Sequence, residues 1–353
     1  MQDHPFVLSA MPQASKSSLI RGIHAYLRGI TPRSTELMCY RPGAELPVGN
    51  MRRKSEDELM SMFPEVRDED VYEYRCQKEI CYAQYCKEIR ASDDSEKISV
   101  KTPIGYVDCY LYRPAETSPC AVVFNFHGGG MVLGYWELDA PYCRDLAKAA
   151  GAIVVNVDYP LAPEYRHPIG HRMAYKAVRG VIEHIETSDM AGLPIMVGGS
   201  SAGANVAAGI SQLAYEDGNV VIAGQYLNYP VVLWDLQGLS APDPSKAIPI
   251  SRMRQYAAWA FENESQMGMP LASPLNARAS VFPPTLINAA SYDSLCPDTV
   301  LFAEKLGKAG VEIDLKVFEE CMHGFTHKDL SEYRPEDAQD AWARIAGFIR
   351  NHS

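Results

Sequence analysis

From about residue 95 onward, short apolar runs rich in β-formers alternate with longer amphipathic ones, and that rhythm limits the chain to few folds. CAVVFNF, AIVVNVDY, PIMVGG, VIAGQYLNYP, TLINAA and VEIDLKVF read as buried strands. Helix-length patterns at 138–150, 172–186, 202–216 and 298–309 separate most of them, and a last one covers 335–351. Strands apolar on both faces need both faces covered, and parallel strands need crossover helices. KISVKTP and YVDCYLYRP alternate and add a strand pair in front. The predicted class is α/β, with a mostly parallel eight-stranded sheet flanked by helices.

Two regions break the rhythm. Residues 1–95 carry helix-like patterns, among them SKSSLIRGIHAYLRGI, SEDELMSMF and EDVYEYRCQKEICYAQYCKEIR, and no strand pattern of comparable length. Residues 233–283 also lack a clear strand, are rich in proline, and contain the helix-like SRMRQYAAWAFE. That is too long for a simple connection. It reads as an insertion above the sheet that packs with the N-terminal helices.

The charge balance is 33 basic against 44 acidic residues, a net of −11. With no basic block, the chain is a poor partner for nucleic acid or an anionic membrane surface. Nine cysteines, odd in number and scattered, argue against a disulfide framework or a metal site, and for free thiols in a reducing compartment. The N-terminal MQDHPFVLSAMPQ shows no secretory pattern, and no stretch is long and apolar enough to span a bilayer. These features predict a cytoplasmic location, and they are compatible with a homodimer.

The chemistry is concentrated around Gly199-Ser200-Ser201-Ala202-Gly203, a G-x-S-x-G pattern between an apolar strand and the helix-like NVAAGISQLA. Alone the pattern arises by chance in about one such chain in ten. In a strand–turn–helix context it places the Ser201 hydroxyl at the carboxyl end of the sheet, against a helix N-terminus that favours developing negative charge. A serine nucleophile needs a base, and the base an orienting acid. On such a sheet they follow in the order serine, acid, histidine. Asp293 lies just past the TLINAA strand and His323 just past VEIDLKVF. Asp298 and His327 are the alternative acid and base. Asp298 reads better as a residue of a helix start, and His327 lies further from its strand. Most of the other histidines, namely His4, His24, His171, His184 and His352, read as surface residues.

Attack on a carbonyl makes an oxyanion, which needs backbone N–H donors already in place. His127-Gly128-Gly129-Gly130 follows the CAVVFNF strand. There Gly128 and Gly129 can aim their N–H groups at the site beside that of Ala202. Gly130 eases the following bend, and His127 reads as loop scaffold. A phosphate loop would lead directly into a helix with a lysine or a ribose-binding acid nearby, and MVLGYWELD offers neither.

With these stretches in view the chain resembles the hormone-sensitive lipase-like family of α/β-hydrolases, in its bacterial esterase branch. HGGG at 127–130, DYPLAPE at 158–164, GSSAGAN at 199–205 and YDSL…HGF at 292–295 and 323–325 carry the likeness, which covers about 95–350. It implies Ser201 as nucleophile, His323 as base, Asp293 as orienting acid, and the N–H groups of Gly128, Gly129 and Ala202 as oxyanion hole. It also implies a cap made of the N-terminal region, 1–95, and the insertion at about 233–283, on a catalytic domain of 96–353. The family pattern is departed from at Ser200 and Ala204 around the nucleophile, at Met173, and at Pro297.

The expected reaction is a two-step acyl transfer on a small-molecule ester, through an acyl-enzyme and with no metal or organic cofactor. Tyr135, Trp136, Trp234, Trp259 and Phe325 are candidates for an apolar pocket wall. A capped pocket of limited volume predicts short acyl chains. Amidase, deacetylase and peptidase activities share these motifs. A non-catalytic small-molecule receptor is a further alternative, against which the retained His323 argues.

Overall fold

The computed structural model describes residues 68–353 except 115–117, 187–190, 235, 237, 238, 240 and 242. The two earliest helix-like patterns therefore lie outside the described residues. The third forms α1, Asp68–Ser92. Then follow β1 (Glu96–Thr102), β2 (Gly105–Tyr112), β3 (Val122–Phe126), α2 (Trp136–Ala150), β4 (Ile153–Asp158) and α3 (Ile169–Glu186). The chain continues through β5 (Ile195–Ser200), α4 (Ala202–Asp217), β6 (Ile222–Asn228), α5 (Ile250–Ala260) and α6 (Glu264–Met267). It ends with β7 (Thr285–Ala290), α7 (Cys296–Lys308), β8 (Ile313–Phe318) and α8 (Pro335–Asn351). Among the described residues, none of these helices is long and apolar enough to cross a membrane.

The eight strands form one sheet in the order β1-β2-β4-β3-β5-β6-β7-β8. β2 runs antiparallel to both β1 and β4, and every other pairing is parallel. Period-two alternation supplies both faces of the sheet. In β3, Val122, Phe124 and Phe126 join one core, which also takes Val178 of α3, Ile210 of α4 and Phe302 of α7. Val123 faces the other, shared with Leu146 of α2 and Ile349 of α8. The strand carboxyl ends thus share one edge, where the loops after β3, β5, β7 and β8 meet.

Around 233–283 the described residues contain no strand, only α5, α6 and two short 3-10 turns at Pro274–Asn276 and Ala279–Val281. α1 packs on this insertion. The Tyr74 ring stacks on Trp259 of α5 at 5.9 Å between centroids, and its hydroxyl lies 2.8 Å from that of Tyr256. The buried Arg75 forks onto Glu164 at 2.6 and 2.9 Å and donates to the carbonyls of Val132 and Ala162. One guanidinium therefore ties α1 to the segment after HGGG and to the DYPLAPE segment, by charge-assisted bonds of the strong kind.

The turn from β5 into α4 sits hard against β3. A Cβ on Gly203 would fall 1.9 Å from the Phe126 carbonyl oxygen and 2.4 Å from that of His127. Both obstacles are backbone and cannot rotate away. Gly203→Ala is therefore expected to cost about 3 kcal/mol or more, lowering the melting temperature by on the order of 10 °C. Thermal unfolding followed by circular dichroism checks this.

Candidate active site

The β5–α4 turn puts Ser201 at φ 57°, ψ −119°. A non-glycine residue pays strain there, so the surroundings must hold it. The Ser201 N–H donates to the Asn228 carbonyl at 2.9 Å, and its own carbonyl accepts from the Asn205 N–H at 3.2 Å. The side chain is thereby lifted off the end of β5 at the first turn of α4, where free N–H groups and the helix dipole converge.

The loops after β7 and β8 are laced together. The N–H groups of Ser291 and Tyr292 donate to the carbonyls of Phe318 and Cys321, and that of Glu320 donates to the Ser291 hydroxyl. This brings Asp293 beside His323 across thirty residues of sequence. His323 Nε2 lies 2.8 Å from Ser201 Oγ, and its Nδ1 lies 2.6 Å from Asp293 Oδ2. The other Asp293 oxygen accepts from the Leu295 N–H at 3.1 Å. Asp293 is 1% exposed. Buried and doubly hydrogen-bonded, it fixes the imidazole ring with Nδ1–H toward itself and leaves Nε2 to face the serine.

The HGGG loop passes directly over this serine. A Cβ on Gly128 would fall 3.3 Å from the Ser200 carbonyl oxygen and 3.7 Å from Ser201 Cβ. Gly129, at φ 119°, turns the chain so that its carbonyl accepts from the N–H groups of Val132 and Leu133. His127 is buried, stacked at 4.5 Å on Tyr159, with Nδ1 2.7 Å from the Gly128 carbonyl. The Tyr159 hydroxyl donates to the His127 carbonyl at 2.9 Å. Burial holds the His127 imidazole below its ordinary pKa, partly countered by Asp139. His127 is thus loop scaffold, as its position suggested.

The structure separates the alternatives left open by sequence. Asp298 lies in the first turn of α7. His327 is buried away from Ser201 in a second polar group, with Nε2 3.3 Å from Asp139 Oδ1. His171, expected at the surface, is 4% exposed, and its Nε2 lies 3.0 Å from Asn205 Oδ1. Asn205 in turn donates to the carbonyls of Val231 and Ala272. Helical periodicity alone did not reveal that this face of α3 meets α4. Ser200 stands where it can accept from Asn228 Nδ2 at 3.4 Å, Ala204 and Met173 are buried, and Pro297 opens α7.

The aromatic candidates divide. Tyr135 is half-buried and donates to the Arg75 carbonyl. Trp136 stacks on Tyr110 at 3.7 Å within the α2–α8 core. Trp234 and Trp259 are buried among Phe261 and Tyr74. Phe325 is fully buried between Phe318 and Tyr229. Trp234, Trp259 and Phe325 are core packing, not a free pocket wall, because their rings are already covered by protein, whereas Trp136 is only partly buried against its core. Sequence reasoning missed Tyr256, whose ring would meet a Cβ on Gly130 at 2.6 Å, and Arg75. Neither had a local signal, since their partners lie far along the chain.

A sheet of this topology with this serine turn at its carboxyl edge defines an α/β-hydrolase. A family model described as the alpha/beta hydrolase fold matches residues 123–327. The esterase LipI of Mycobacterium tuberculosis is 34% identical over 236 residues, 65% of this chain and 73% of that protein. Carboxylesterase NlhH of the same organism is 35% identical over 224 residues, 61% and 70% of the two chains. Among solved structures, a Pyrobaculum calidifontis esterase superposes with a TM-score of 0.71 at 29% identity, covering 84% of this chain and 98% of its own. EstE1, a thermostable carboxylesterase from a metagenomic library, gives 0.70 at 27%, covering 80% and 97%. The chain belongs to the hormone-sensitive lipase-like esterase family of the α/β-hydrolase fold, and is a carboxylic ester hydrolase.

One consequence is pH-dependent. Burial pushes the His171 imidazole down to about 4 from an ordinary 6.5, against the hydrogen bond with Asn205. A group whose native pKa is depressed stabilises the fold above its unfolded pKa, and the contribution is lost as pH falls. Stability is expected to decline from pH 6.5 toward 4 by ~3 kcal/mol from this residue. Denaturant unfolding across that range measures it, and His171→Gln should flatten the slope.

Proposed function

We propose that the protein hydrolyses short-chain acyl esters through an acyl-enzyme on Ser201. His323 takes the Ser201 proton as Oγ attacks the carbonyl carbon. The tetrahedral oxyanion is held by the N–H groups of Gly128, Gly129 and Ala202. The alkoxide leaves with the proton from His323. Water, deprotonated by the same imidazole, then attacks the acyl carbon and frees the acid and the serine. Asp293 keeps the ring oriented and stabilises the imidazolium. The observation that carries this reading is the continuous chain Ser201 Oγ–His323–Asp293, at 2.8 and 2.6 Å, beneath the HGGG loop.

α1 and the insertion would form the cap. Support comes from the Tyr74–Tyr256 hydroxyl contact and from the ring of Tyr256 pressing on Gly130. Such a roof leaves little length for an acyl chain. The acidic charge and free thiols fit a cytoplasmic ester hydrolase.

Ser201→Ala should lower kcat by about 10⁴-fold or more and abolish labelling by a fluorophosphonate probe. A variant that kept its activity would remove the serine from the mechanism. Across a series of nitrophenyl esters, kcat/KM should peak at short acyl chains and fall by at least about tenfold at long ones. A maximum at long chains rejects the enclosed pocket.

A further inference from the structure

Beneath the triad lies a second buried polar group that the acyl-transfer steps do not use. Its centre is His327, four residues beyond His323 and 6% exposed. Nε2 faces Asp139 Oδ1 of α2 at 3.3 Å. Nδ1 lies 2.9 Å from both the Tyr229 hydroxyl and Thr326 Oγ1, and those two hydroxyl oxygens are 2.6 Å apart. Asp139 is itself anchored, since its Oδ2 accepts from Asn125 Nδ2 at 2.8 Å, and Asn125 accepts from the Tyr226 hydroxyl at 2.6 Å. Asn125 stands on β3, two residues before the HGGG loop.

Tyr229 connects this group to the site. It follows β6 directly and holds φ 34°, a value that a tyrosine keeps only when its surroundings impose it. Its N–H donates to the Asn288 carbonyl of β7. Its ring meets the His323 imidazole at 4.8 Å between centroids, tilted 63°. The preceding residue, Asn228, supplies the carbonyl that holds the Ser201 N–H. One short segment therefore touches both the serine backbone and the histidine ring.

We propose that Tyr229, pinned through its hydroxyl by the His327–Asp139 pair, is a positioning residue that sets the angle of the His323 imidazole for proton transfer. The inference rests on the reading of Ser201, His323 and Asp293 as the triad. The argument is geometric. The Asp293 bond fixes one end of the imidazole, but rotation about that bond would swing Nε2 away from Ser201. The Tyr229 ring, in a T-shaped contact with the imidazole at 4.8 Å, blocks the swing. The hydroxyl at the far end of the ring is tied to the buried His327–Asp139 pair, which holds the ring at that angle. Burial pulls the His327 imidazole down, but the hydrogen bond and charge of Asp139, with Asp329 adding to them, outweigh it and hold its pKa above the ordinary imidazole value. Asp139 correspondingly stays below the ordinary carboxylate value despite burial. His327 Nδ1 is within hydrogen-bonding distance of both hydroxyls, and that contact orders them.

The test compares Tyr229→Phe, His327→Gln and the double variant for kcat, KM, melting temperature and the rate of fluorophosphonate labelling. Tyr229→Phe keeps the ring volume and removes only the tether. It should lower kcat and the labelling rate by about tenfold while KM stays within about twofold, the pattern of a misaligned base. His327→Gln should do the same, and the double variant should lose no more than the larger single loss, because both cut one path. If His327→Gln does not fold, Tyr229→Phe alone decides. A folded Tyr229→Phe enzyme with kcat within twofold of the parent overturns the proposal, as does a double variant whose losses multiply. Ser201→Ala, run alongside, keeps the two readings apart. If that variant retains activity, it is the triad that fails.

Discussion

The rest of the site depends on a strained turn held by backbone. Ser201 keeps a positive φ because its N–H is bound by the end of β6 and its carbonyl caps α4. The turn can reach that position only because Gly203 presses against β3 with no side chain between them. The same close approach sets the HGGG loop over the serine. Strand spacing, helix start and HGGG loop are therefore one constraint, and loosening any of them would move the hydroxyl relative to that loop.

The two side chains that line up behind Ser201 arrive by another route. Asp293 and His323 sit on loops that follow neighbouring parallel strands, and those loops exchange backbone hydrogen bonds before either side chain is considered. Parallel neighbours end at the same edge, so residues thirty positions apart are forced together. The buried His327–Asp139 group lies below, tied to β3 through Asn125 and to the segment after β6 through Tyr229. It links the elements that carry the HGGG loop, Ser201 and His323. The insertion and α1 meet above, where Arg75 fastens the N-terminal helix to the segments flanking the site.

Much of this was legible in the sequence. The sheet class followed from continuous apolar runs separated by amphipathic ones, because a strand buried on both faces has no other reading. Ser201, Asp293 and His323 could be named because each sits at the end of a strand in the order the sheet requires, and the structure brings them within hydrogen-bonding distance. Trp234, Trp259 and Phe325 failed as pocket-wall candidates for the opposite reason. Trp234 and Phe325 look the same in sequence whether they line a cavity or fill a core, and only the packing around them distinguishes the two. His171 was misplaced because a helix can bury a polar face whenever a partner such as Asn205 waits on its neighbour.

Local pattern by itself thus determined the strands, the helices, the serine turn and the strand ends that carry Asp293 and His323, since periodicity and turn chemistry act over a few residues. Tertiary structure alone decided that His327 pairs with Asp139 instead of serving Ser201, that Tyr229 stands against the His323 ring, and that Arg75 reaches Glu164. Those contacts join residues 89 to 188 positions apart, or turn on a backbone angle of a few tens of degrees. No local rule carries such information, because it exists only once the strands have taken their places in the sheet.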